Sequence, residues 1–189
     1  MLARADVPKR HLRPLVQTPC AEWVSLSNKL RAALGTGFLF ALLGDRGTGK
    51  TRLAVATIRE CIRRTARNGF DANRPAWYRK TLDLFLDVRA SFKNESRTER
   101  EVLAPYLACD LLVLDEIQER GGTDFEDRML TYVIDKRYDA NKDTLLISNL
   151  KAGEFSKHVG PSIVDRIREC GAAINCDWPS FRTTPGAAK

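Results

Sequence analysis

Residues 37–51 read GFLFALLGDRGTGKT, and the fold turns on how this stretch divides. Its first part, GFLFALL (37–43), is short and continuously apolar. A run without polar alternation is the pattern of a strand buried on both faces, as in a parallel sheet between layers of helices. Its second part, GDRGTGKT (44–51), fits G-x-x-x-x-G-K-[ST]. Gly44, Gly47 and Gly49 let the backbone curl so that its N–H groups converge on a polyphosphate, with Asp45, Arg46 and Thr48 completing the loop. The helix that follows adds the positive end of its dipole. Lys50 is the ammonium for the β- and γ-phosphates, and Thr51 brings a hydroxyl to Mg²⁺. The expected ligand is therefore ATP with Mg²⁺.

Outward from this loop, strands and helices alternate. A helix from Thr51 is expected to run to Asn68-Gly69, with Val55, Ile58 and Ile62 inward and Arg59, Arg63 and Arg67 in a solvated stripe. AWYRK (76–80) is a second strand, with amphipathic helices at about 81–92 and 98–108. LLVLD (111–115) is a third, fully apolar strand. TDFE (123–126) has the form of a capping box and predicts a helix to about Asp139. TLLISN (144–149) and AAINC (172–176) are the fourth and fifth strands, with GPSIVDRIREC (160–170) a surface helix before the last. Such alternation is the signature of an α/β fold with a parallel sheet and right-handed crossovers. Upstream, residues 1–18 are expected as a basic tail. Residues 19–36 are expected as one helix, capped by Thr18-Pro19, carrying Trp23, Leu26, Leu30 and Leu34 at helical spacing and ending at Gly35.

Composition excludes several classes. The chain has 189 residues, 43% apolar and 29% charged, enough for one domain with a core. No apolar run is long enough to span a bilayer, and the basic N-terminus lacks the apolar stretch of a secretory signal, so a cytoplasmic protein is expected. Five scattered cysteines without a C-x-x-C pair, and two histidines, argue against a disulfide scaffold and against zinc. The net charge of +7 is compatible with nucleic acid without requiring it.

LLVLDEI (111–117) ends a buried strand with two acids, at the sheet edge where open α/β folds bind ligands. Asp115 is placed to hold Mg²⁺, and Glu116 to polarise a water for attack on the γ-phosphate. Asn149 ends another strand at the same edge, where its amide can hold that water or the phosphate.

The order P-loop, strand-Asp-Glu, strand-Asn, Arg-bearing helix resembles the AAA+ ATPases. More closely it resembles their DnaC/IstB branch of replicative helicase loaders and transposition helper ATPases. CDLLVLDEI, the helix ending YVIDKR, the SN pair and GPSIVDRIRECGAAINCDWPSFR carry the resemblance, and DWPSFR is similar to the end of DnaC-type loaders in particular. The resemblance implies an ATPase core over 37–182, followed by a short tail (183–189). It implies a five-stranded sheet of order 5-1-4-3-2 without a C-terminal helical lid. It also implies a ring or spiral, with a hexamer among the options, and ATP between subunits. Arg166 matches the arginine finger that reaches the neighbouring subunit's γ-phosphate, and Arg182 matches an arginine that senses phosphate. Gln118 stands where the family often has Gly.

The implied partners are further copies of the chain, a replicative DNA helicase and single-stranded DNA. Phe92, Lys93 and Arg97 lie in a polar loop suited to DNA, whereas Trp77 to Lys80 read mainly as core. Three rival readings stand beside the loader: a transposase helper, a nucleotide-gated adaptor with little hydrolysis, and a small-molecule P-loop kinase.

Overall fold

A computed structural model of the chain describes residues 5–12, 19–67, 75–92 and 97–181. Five parallel strands form one sheet: β1 (Leu39–Leu43), β2 (Ala76–Lys80), β3 (Leu111–Asp115), β4 (Asp143–Ile147) and β5 (Gly171–Asn175). Their spatial order is 2-3-4-1-5, the expected order read from the other edge. Eight helices connect and flank them among the described residues: α1 (Lys9–Leu12), α2 (Ala21–Ala32), α3 (Lys50–Arg67), α4 (Thr81–Ser91), α5 (Glu99–Ala108), α6 (Asp124–Asp139), α7 (Ala152–Val159) and α8 (Pro161–Cys170).

The central strands β1, β3 and β4 are buried along their whole length, which is why they carry no alternation. Period two still assigns the faces. Leu39, Ala41 and Leu43 pack with the layer of α4 to α8, whereas Phe40 and Leu42 pack with α2 and α3. At the edge, β5 begins against β1, and a Cβ on Gly171 would sit 1.7 Å from Leu39 O, so the close approach admits only glycine.

Several expectations shift. Helix α2 starts at Ala21 with Cys20 as its N-cap residue; Thr18 lies outside the described residues, as does the Asn68-Gly69 stop. At α6, Thr123 caps Glu126 N, but the Glu126 carboxylate turns to Arg89 at 3.3 Å, so the TDFE box is half made. A complete box stands instead at Thr98 and Glu101, opening α5. Helix α7 was not expected. Gly160, at φ +83°, separates it from α8.

Residues 5–12, expected within a tail, pack on the core. Ala5 and Val7 are buried, and Asp6 Oδ2 accepts Trp77 Nε1 at 2.6 Å. Arg59 donates to Leu12 O at 3.0 Å, and Arg63 pairs with Glu60. Those two members of the arginine stripe are therefore committed within the chain. No described helix is long and apolar enough to cross a membrane.

Candidate nucleotide site

Because all five strands run parallel, their C-terminal ends share one edge, and the loops that leave them meet there. The pairing of β2 with β3 sets Lys80 beside Asp115. The result is a cleft of about 500 Å³ lined by Gly47, Gly49, Lys50, Thr51, Asp115, Glu116 and Asn149. Tyr78 and Lys80 of β2, Pro8, Arg10 and His11 of the N-terminal segment, and Phe181 also line it.

The loop 44–49 has the backbone its glycines allow: φ is +115° at Gly44, +92° at Gly47 and +81° at Gly49. Gly49 is constrained twice, since an added Cβ would lie 2.9 Å from the Phe181 ring and 3.0 Å from Trp23 Nε1. The Lys50 side chain is buried, and its ammonium donates to Gly44 O at 2.6 Å and Asp45 O at 2.7 Å. Thr48 Oγ1 closes the turn onto Asp45 O at 3.0 Å.

Asp115 is held through both carboxylate oxygens. Oδ2 accepts Thr51 Oγ1 at 2.9 Å and the Tyr78 hydroxyl at 2.7 Å, and Oδ1 accepts Glu116 N at 2.7 Å. Burial, reinforced by this carboxylate, pushes the Tyr78 phenol far above its ordinary value, so it stays a donor. A hydroxyl and a carboxylate brought together in this way are the oxygen donors that a hard divalent cation takes.

Glu116 lies at φ +58°, a left-handed backbone that is uncommon for a residue with a side chain. Ile117 N donating to Ile147 O at 3.0 Å and Glu119 N donating to Glu116 O at 2.9 Å hold it there. Its carboxylate pairs with Lys80 Nζ at 2.7 Å, a bond that raises the Lys80 ammonium above its usual range. Asn149 is tied to the same turn by Gln118, whose Oε1 accepts Asn149 N and Ser148 Oγ, each at 3.0 Å. Gln118 therefore bridges two strand ends, at a position where the family often has Gly.

The structure brings Lys50, Thr51, Asp115, Glu116 and Asn149 into one cleft, and leaves Arg166 outside it. Arg166 pairs with Asp135 at 3.0 Å, donates to Ser162 O at 3.1 Å and lies 5.4 Å over the Tyr138 ring. Arg182 and Lys93 fall outside the described residues. Of the other DNA candidates, Trp77 and Tyr78 are buried and Arg79 is bound to Asp87, whereas Phe92 and Arg97 are exposed.

The family model described as IstB-like ATP binding protein matches residues 38–183. The replicative helicase loader DnaC of Escherichia coli (strain K12) is 26% identical over 145 residues, covering 76% of this chain and 56% of that protein. The chain thus spans little more than half the length of this relative. A crystal structure of the DnaC helicase loader superposes with a TM-score of 0.71 at 20% identity, covering 89% of this chain and 99% of that one. The replication initiator DnaA, bound to AMPPCP and single-stranded DNA, gives 0.69 at 20% identity, covering 90% and 50%. At this identity the two structures speak for the fold, an AAA+ P-loop core.

Proposed function

The chain belongs to the IstB-like ATP binding protein family, and from that premise we propose that it hydrolyses ATP and uses the turnover to load or remodel a replicative DNA helicase. The observation that carries hydrolysis is the meeting of Asp115, Glu116 and Asn149 with the P-loop in one cleft. The likeness to DnaC supports the helicase as partner.

The residues divide the work as follows. The P-loop amides cradle the phosphates, and Lys50 exchanges the carbonyls of Gly44 and Asp45 for phosphate oxygens. Thr51 and Asp115 would hold Mg²⁺, which would supply charge to offset that of the bound polyphosphate. Glu116 leaves Lys80 and polarises the attacking water, with the Asn149 amide fixing that water or the phosphate. ATP sits between subunits of a ring or spiral, and Arg166 of a neighbouring subunit supplies the last cation. Single-stranded DNA occupies the assembly, with Phe92 and Arg97 as contacts.

The test is steady-state hydrolysis by wild type and Glu116→Gln, beside ATP binding. Glu116→Gln is expected to bind ATP as wild type does while turnover falls by about 100-fold or more. Equal turnover in both would sink the hydrolytic reading and leave a nucleotide-gated adaptor. Co-purification with a replicative helicase in the presence of ATP tests the partner. Recovery instead of a transposase, with ATP-dependent assembly on double-stranded DNA, would favour the transposition helper that the same family model accommodates.

A further inference from the structure

The segment that follows β5 is bound to the phosphate loop by contacts that the chemistry above does not use. Cys176 N donates to Leu43 O at 2.8 Å, so the segment leaves the sheet where the loop begins. It then crosses the loop. Trp178 Nε1 donates to Thr48 O at 2.7 Å, and Phe181 N donates to Gly47 O at 2.9 Å. The Phe181 ring ends against Gly49.

Peptide geometry makes these bonds a constraint. In a trans peptide the C=O and the N–H of the next residue point in opposite directions. A Gly47 carbonyl turned toward this strap leaves Thr48 N–H turned away from it. A Thr48 carbonyl turned toward Trp178 does the same for Gly49 N–H. Both peptides adjoin glycines with positive φ, where rotation of the peptide plane meets little steric resistance. A donor on the carbonyl side selects one of the two orientations.

We propose that Trp178 and the Phe181 amide are positioning residues for the polyphosphate: they hold the Gly47–Thr48 and Thr48–Gly49 peptides with their N–H groups facing the phosphates. This rests on the ATP-binding reading of the cleft. It assigns a role to the DWPSF stretch that its place beyond the last strand does not suggest. It also commits the effect to the phosphate half of the ligand, because the base and ribose do not bind those amides.

The experiment is calorimetric titration of wild type and Trp178→Phe with ATP, inorganic tripolyphosphate and adenosine at one salt concentration. Trp178→Phe keeps an aromatic ring and deletes the donor. It is expected to bind ATP and tripolyphosphate about fivefold more weakly and adenosine as wild type does. Its melting temperature without ligand should fall only by the few degrees that one lost hydrogen bond costs, since Trp178 is only partly buried. Should Trp178→Phe melt earlier than that, benzothienylalanine at position 178, in which sulfur replaces the indole N–H, repeats the test with the ring shape kept. Equal weakening of all three ligands, or of ATP without tripolyphosphate, overturns the proposal. So does wild-type affinity in the variants. A wild type that binds neither ATP nor tripolyphosphate overturns the nucleotide reading itself, a distinct result.

Discussion

Glu116 combines a left-handed backbone with an ion-paired carboxylate, and the pairing bears on its proposed use as a base. Its ion pair with Lys80 joins two side chains that are 37% and 45% exposed, so the hold is weak, at most about 1 kcal/mol. A carboxylate so held faces an ammonium in place of water. Lys80→Met is therefore expected to raise basal turnover by up to about fivefold, read as kcat in a steady-state assay. An unchanged or lower kcat would assign Lys80 to the charge of the substrate instead. The thiols give a second prediction. Burial pushes Cys61 and Cys176 up to about 12, so neither forms thiolate at pH 8. Iodoacetamide should leave both unmodified in the folded protein, as mass spectrometry of the alkylated peptides would report, until denaturant is added. Lys50, Thr51, Asp115, Glu116 and Asn149 were legible in the sequence because each sits at a fixed offset from a strand end. Tyr78, Lys80 and Gln118 were not, because their partners lie across strands. Alternation along β2 shows which face Tyr78 takes, not that Asp115 waits there.

Elements are locked at the opposite end of the sheet by buried polar groups. Arg137 of α6 is wholly buried, and its guanidinium donates to the carbonyls of Tyr106, Cys109 and Asp143 and to Thr144 Oγ1. It thereby fastens the end of α5 and the starts of β3 and β4 to α6. Arg137→Met would take the guanidinium donors away from those buried carbonyls, a cost of about 3 kcal/mol or more, measured by urea unfolding. On α3, Glu60 accepts Arg63 Nε at 2.8 Å and Arg64 Nε at 3.0 Å. The Arg63 hydrogen bond chiefly lowers its carboxyl to about 2, against a usual value of 4.5. A depressed carboxylate stabilises the fold above its unfolded value and loses that contribution as pH falls through the folded one. The difference in melting temperature between wild type and Glu60→Gln should thus be full above about pH 4.5 and fade toward pH 2. The stability behind that difference is at most about 1 kcal/mol, since both arginines are more than 40% exposed. Helices were legible here from their period, and the central strands from short apolar runs that lack one. The caps were legible only in part, since a Glu three residues after a Thr serves the cap at Glu101 but an arginine of another helix at Glu126. Helix α7 escaped notice because eight residues with Gly153 inside offer two buried positions, Phe155 and Val159.

At the scale of the whole molecule, the order of the sheet came from the family resemblance, whereas the motifs themselves placed only the P-loop, Asp115-Glu116 and Asn149 at one edge. The packing of residues 5–12 was not legible: three prolines and scattered bases within residues 1–19 resemble a tail, and only the third dimension places Val7 and Asp6 against the core. One cation also stays outside the cleft. Arg166 is directed from α8 at Asp135 and Tyr138 of α6, not at the P-loop of its own chain. If it serves hydrolysis, it must do so for another copy, and two inactive proteins should then repair one another. Arg166→Ala keeps an intact P-loop and lacks the finger; Lys50→Ala lacks the P-loop cation and keeps the finger. Each alone is expected to lose turnover by a factor of about 10³, with turnover per subunit of wild type rising with protein concentration. Mixed in equal amounts, a subunit of Arg166→Ala beside one of Lys50→Ala rebuilds a complete site at their junction, and activity should return to a sizeable fraction of wild type. Wild-type turnover by Arg166→Ala alone, or a mixture as silent as its components, would mean that each chain completes its own site and that the Arg166–Asp135 pair is a fastening between α8 and α6.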